Sequence, residues 1–162
     1  MTFRLLSNSL EEGQFLPPEQ LAAYPGLDGG NRSPELHWEN APEGTQSFVV
    51  TMYDPDAPTG SGWWHWVVVD IPASVTQLPE GAGGLHATLP APAYAVSNDS
   101  STTAFGGAAP PPGHGEHRYI FTVHALKIPT LPLGEHPTPA QVGFHVHFNS
   151  LGSATLNTRF GR

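Results

Sequence analysis

The apolar positions of this chain fall in short runs divided by turn-rich stretches, the rhythm of strand, loop and strand. From Phe48 the run FVVTMYD is apolar and β-branched, and it breaks at Asp54 in DPDAPTGSG, a Pro/Gly-rich loop. WWHWVVVDIP follows from Trp63 to Pro72, and its aromatic and valine content suits a buried strand. The two runs predict a pair of strands joined by a loop that carries two carboxylates. A third strand is predicted over HRYIFTVHALKI, His117 to Ile128. Period two puts Tyr119, Phe121, Val123 and Ala125 on one face and Ile120, Thr122, His124 and Leu126 on the other. Both faces are largely apolar, so this strand is expected in the middle of a sheet. SPELHWENAP, from Ser33 to Pro42, reads as turn, short strand around Leu36 and Trp38, and turn.

Two stretches are less regular. Residues 73–113 have little periodicity and are rich in Gly, Ala, Ser, Thr and Pro; loops of that length are often functional. Near the end, Val142, Phe144, Val146 and Phe148 alternate as in a strand, while Phe144, Phe148 and Leu151 also fit a helix face. Thr138 as N-cap and Pro139 at the first helical position decide for a short helix. SATLNTRFGR then closes the chain as a strand.

The length of 162 residues suits one domain spanning 1–162, and no repeat or linker-like shift in composition divides it. Gly and Pro number 18 each, enough to raise the question of disorder, but eight Phe, four Trp and four Tyr supply buried area for a packed core. Six Lys and Arg against fourteen Asp and Glu give a net charge of -8 with no basic cluster, which argues against nucleic-acid binding. There is no signal-like start and no long apolar stretch, so a cytoplasmic protein without membrane insertion is expected. With no Cys, disulfides and thiolate chemistry are excluded, and chemistry falls to Asp, Glu, His, Ser and Tyr.

Asp54 and Asp56 sit two apart in DPDAP, where Pro55 and Pro58 restrict the loop, and Ala57–Pro58 is a candidate cis bond. Turn formation alone would also explain both aspartates. His65, among Trp and Val, needs a partner if buried, and a nearby Asp is the expected one. Such a carboxylate would fix the ring's tautomer or hold it protonated as a donor to an anion. GGAAPPPGHGEHRY, Gly106 to Tyr119, runs from small residues into the strand, and His117 and Tyr119 project to one face there. Its backbone N–H groups could form a concave anion receptor. A crossing loop with an incidental histidine is the plainer alternative. His145 and His147 would align on a strand but not on a helix, and no third ligand accompanies them, so neither a metal nor another cofactor is expected. No GxSxG elbow is present.

SPELHW, DPDAP, GWWHWVVV and GHGEHRY, in this order and spacing, resemble the phosphatidylethanolamine-binding proteins, most closely the bacterial Raf-kinase-inhibitor-like branch. The resemblance runs from about Leu5 to the C-terminus. It implies a mainly β fold: a large central antiparallel sheet packed on a smaller sheet, with short peripheral helices. It also implies a pocket for phosphate, sulfate, carboxylate or phosphoryl head groups. Carried over by motif, that pocket takes Asp54, Asp56, His65, His117 and Tyr119, with Gly107 and Pro110 shaping the wall. Two departures bear on the wall: Ala108 and Ala109 precede the prolines, and Ser101 and Ala104 stand where relatives tend to have Gly. The resemblance further implies a mouth left open, or covered by a second subunit in a homodimer.

A small-anion-binding protein is the leading expectation, with the aspartates orienting imidazoles and with His65, His117 and Tyr119 meeting the anion. Regulation or inhibition of a kinase or protease is the second, and rests on the family likeness. The third is a hydrolase or lyase using the Asp/His pocket, for which the sequence offers no evident nucleophile.

Overall fold

The computed structural model describes all 162 residues, Met1–Arg162. Eight strands and one α-helix follow in order: β1 (Arg4–Leu6), β2 (Leu36–Glu39), β3 (Ser47–Asp54), β4 (Trp63–Pro72), β5 (Gln77–Leu78), β6 (Tyr94–Ala95), β7 (His117–Leu126), α1 (Pro139–Asn149) and β8 (Ser150–Phe160). A single 3-10 turn spans Pro18–Gln20. The large sheet has the order β6-β4-β3-β7-β8, and β1-β2-β5 form the small one. Every strand pair is antiparallel.

The apolar content of β3, β4 and β7 explains their place at the centre. Phe48, Val50 and Met52 of β3, Trp66 and Val68 of β4, and Phe121 and Val123 of β7 pack with Leu5, Leu36, Trp38 and Leu78 of the small sheet. The opposite faces of β3 and β4, Val49, Val67 and Val69, close against Val142 and Val146 of α1. Because both faces are covered, β3 and β4 read as continuous apolar runs rather than alternating ones. β7 lies between β3 and β8, as its two-sided pattern predicted.

The predicted helix forms with its capping box: Thr138 Oγ1 accepts from Gln141 N at 3.2 Å, and Gln141 Oε1 accepts from Thr138 N at 2.9 Å. Its buried side chains are Val142 and Val146, so the Phe144–Phe148 face points to solvent. Three expectations need correction. The strand from His117 ends at Leu126, because Lys127 donates its N–H to Asn149 O at 2.9 Å instead of continuing the ladder. Residues 73–113 contain β5, β6 and several turns, and hydrogen bonds such as Phe105 N to Gly83 O at 2.8 Å fasten them. The cis bond is Ala91–Pro92, not Ala57–Pro58. The DPDAP loop turns through hydrogen bonds, Asp56 N to Asp54 Oδ1 at 2.8 Å and Thr59 N to Ala57 O at 2.7 Å.

Candidate functional site

At one end of the large sheet, the last residue of β3, the third of β4 and the first and third of β7 converge. They supply Asp54, His65, His117 and Tyr119 to a cleft of about 450 Å³, with Gly107 and Pro110 also on its lining. All four side chains are buried. Antiparallel pairing of β3 with both neighbours brings residues distant in the sequence to this one end.

Asp54 is satisfied from two sides. Oδ1 accepts the Asp56 N–H, and Oδ2 is 2.7 Å from His117 Nδ1, which donates to it. A carboxylate on Nδ1 sets the ring's orientation and tautomer. The other nitrogen of His117, Nε2, lies 2.6 Å from His114 Nδ1, so both ring nitrogens are occupied. His114 stands between Gly113 and Gly115, both at positive φ, in a turn that brings it back onto His117.

His65 is not the partner of Asp54. Its Nδ1 donates to the Gly106 carbonyl at 2.9 Å. Burial pushes its pKa down, against the opposing pull of that carbonyl and of the Asp54 charge. The ring is therefore neutral near pH 7, with Nδ1 protonated and a bare lone pair on Nε2, which has no protein partner. Beside it, 5.5 Å between ring centroids, stands Tyr119. Burial, reinforced by the Asp54 charge, pushes its ionisation upward, so it keeps its O–H. The Arg162 charge acts on Tyr119 in the opposite sense, and Arg162 Nε donates to Pro110 O at 2.8 Å, tying a guanidinium to the cleft wall.

Asp56 is absent from the lining. Its Oδ2 accepts from Arg118 N at 2.8 Å and Nε at 2.9 Å, and Oδ1 accepts from Nη2 at 2.9 Å. This fork holds its carboxyl down to about 2 and makes it a clamp between the loop and β7. The reason is the pleat: Arg118 points away from the face shared by His117 and Tyr119 and takes Asp56 with it.

The Gly-rich wall also differs from the expected anion receptor. The N–H groups of Gly106, Gly107 and Ala108 are already used by His65 O, Asn31 Oδ1 and Gln20 O. Gly107 serves close packing instead: a Cβ there would sit 2.5 Å from Leu21 C and 2.6 Å from Ala22 N. Sequence reasoning missed His114, Gly106 as an acceptor, and Asn31. The spacing HGEH, with glycines on either side of the first His, was the one available sign of a folded-back imidazole.

The profile described as phosphatidylethanolamine-binding protein matches residues 6–161. UPF0098 protein YbhB of Escherichia coli is 50% identical, covering 97% of this chain and 99% of its own length. UPF0098 protein YbcL of the same organism is 46% identical over 95% of this chain and 85% of its own. The crystal structure of E. coli YbcL, described as a new member of the mammalian PEBP family, superimposes with a TM-score of 0.94 at 45% identity, covering 99% and 98% of the two chains. A carboxypeptidase Y inhibitor bound to its cognate proteinase shares the fold at a TM-score of 0.54 and 18% identity, with 98% of this chain and 82% of that one covered. With a two-sheet architecture, the Asp54–His117 pair at the end of the large sheet and a profile match along nearly the whole chain, this protein belongs to the phosphatidylethanolamine-binding protein family.

Proposed function

We propose that the cleft recognises a single phosphoryl-type oxyanion and takes it in a form that carries its own proton. The observation behind this reading is the bare Nε2 of neutral His65 beside the Tyr119 hydroxyl. A lone pair repels a fully deprotonated oxygen but accepts from a P–OH, while Tyr119 donates to a neighbouring P–O oxygen. Arg162 at the wall offsets part of the ligand charge. Asp54, which accepts from the Asp56 N–H and from His117, also faces the Tyr119 hydroxyl, so a bound anion takes that O–H over from the carboxylate. The family description, phosphatidylethanolamine-binding, agrees with a phosphoryl head group. An ammonium such as that of ethanolamine could serve as the donor to His65 in place of P–OH.

Catalysis by the Asp54–His117 pair is less well supported. A histidine acting as base turns a free nitrogen to its substrate, and Nε2 of His117 is on His114. Kinase or protease regulation rests on the family likeness alone.

Isothermal titration with methyl phosphate and with sulfate, at pH 6 and pH 8, tests the proposal. The monoanion of a phosphate monoester is lost above its second pKa of about 6, so affinity should fall ~10-fold or more between the two pH values. Sulfate should bind much more weakly at both, and Tyr119→Phe should weaken methyl phosphate. O-phosphoethanolamine that holds its affinity at pH 8 would identify the ammonium as the donor. Equal affinity for sulfate and methyl phosphate at both pH values would overturn the proposal.

A further inference from the structure

The opposite face of the large sheet holds a second cavity, of about 360 Å³, roofed by α1. Its body is apolar, from Val49 and Val67 on the sheet and Val142 and Val146 on the helix, with Trp64 at the side. No Asp, Glu, Lys or Arg lines it. Three polar residues of the sheet line this space: Thr51 of β3, His124 of β7 and, at the mouth, Ser150 of β8, whose hydroxyl is engaged with Gly152. His147 of α1 is the other titratable group on its lining.

His124 has no hydrogen-bond partner in the protein, and burial alone pushes its pKa down to about 4. At neutral pH it therefore offers one N–H donor and one lone pair, neither taken by the protein, to whatever enters this half-open pocket.

Gly143 adds an independent sign. It lies inside α1, where glycine costs about 1 kcal/mol against alanine, and it lines the cavity. Nothing in the fold demands glycine there: a Cβ would meet no atom within 4 Å, and the φ is ordinary. The helix gives up stability at an exposed position on the rim, where a side chain would narrow the mouth of the cavity. The volume lies at the lower end of the range for small-molecule sites, enough for one ring with a short substituent.

We infer that this cavity is a ligand site, separate from the cleft, for a small uncharged hydroxyl compound of the phenol class, with its ring among the valines and its hydroxyl on His124. An uncharged ligand is required because no ion pairs with it and the imidazole is neutral. A hydroxyl is required because it both donates and accepts, as the neutral imidazole does.

The test is a titration of the full chain at pH 7 with p-cresol, toluene and benzoate, followed through backbone amide shifts. p-Cresol should shift amides around His124 and Gly143. Toluene should bind roughly 10-fold more weakly, the worth of one buried hydrogen bond, and benzoate should leave these amides unmoved. Gly143→Leu should raise the p-cresol Kd at least ~10-fold by closing the mouth of the cavity, and His124→Phe should bring p-cresol to the toluene level. Gly143→Ala, which favours the helix and adds one methyl, guards against an unfolded variant and should weaken binding less. The inference fails if p-cresol affinity ignores all three substitutions, or if the shifts centre on His65 and Tyr119. Saturating methyl phosphate should leave the p-cresol Kd unchanged, so failure at this cavity says nothing against the cleft, and the reverse.

Discussion

Replacing Asp54 by Asn removes one negative charge and almost no volume from the most tightly bonded group of the cleft. Asn can keep Oδ1 on the Asp56 N–H, so the loop turn survives. At the other oxygen an NH2 now stands 2.7 Å from His117 Nδ1, donor against donor. The ring escapes only by moving its proton to Nε2, which in turn faces His114 Nδ1 at 2.6 Å, so the whole chain of tautomers must invert. Loss of a charge-assisted hydrogen bond costs about 1.5–3 kcal/mol, and breaking a buried pair about 3–5 kcal/mol. With the amide retaining one bond, about 3 kcal/mol is expected. For a chain of this length each kcal/mol moves Tm by about 2–4 °C, giving a fall of about 6–12 °C. Scanning calorimetry of Asp54→Asn, His117→Phe and the double variant supplies the cycle, and the two single effects should overlap by about 2 kcal/mol. Asp56→Asn is the comparison, since its fork to Arg118 is partly open to solvent and its loss should lower Tm less than that of Asp54. A Tm for Asp54→Asn within about 2 °C of the parent, or strict additivity in the cycle, would refute the claim that this carboxylate holds His117.

Burial of His124 makes stability depend on pH. Its folded pKa of about 4 lies below the ordinary 6.5, so the unfolded chain takes up the proton first as pH falls. That contribution is whole above about pH 6.5 and drains away down to pH 4, about 3 kcal/mol in all. Urea midpoints for His124→Gln should fall less steeply over this window, and an unchanged slope would remove His124 as the cause. Gly107→Ala should lower the urea midpoint by the equivalent of about 1–3 kcal/mol, because the new Cβ meets the Leu21–Ala22 backbone rather than a side chain that can swing away; an undisturbed midpoint would show that this wall yields.

The elements visible in the sequence were those whose signals are local. β3 and β4 show as continuous apolar runs because both their faces are covered, β7 shows by its period-two pattern, and Thr138–Pro139 marks the start of α1. β5 and β6, two residues each, have no such signal, because the pairings with β2 and β4 alone make them strands. The site shows the same division. Asp54, His65, His117 and Tyr119 come together as DPDAP, the Trp/His strand and HRY suggest. Which nitrogen meets which oxygen depends on register and pleat. His65 finds Gly106, 41 residues away, and Asp56 leaves the cleft because Arg118 lies on the opposite side of β7 from Tyr119. Spacing in the chain carries neither fact.

β8 is synthesised well after β7, yet it is the only outer neighbour of β7, pairing with it from His117 to Leu126. A nascent chain must therefore hold β7 with one edge unpaired, an apolar ribbon open to other chains, until β8 has emerged. The segment before the 3-10 turn then fastens onto the newcomer, through Gly13 N to Asn157 O at 2.7 Å and Leu16 N to Arg159 O at 2.9 Å. A segment that precedes β2 and a strand that follows α1 thus close the sheet together. Lesions in β8 should accordingly be felt more in the yield of soluble protein during biosynthesis than in the stability of molecules that have completed the sheet.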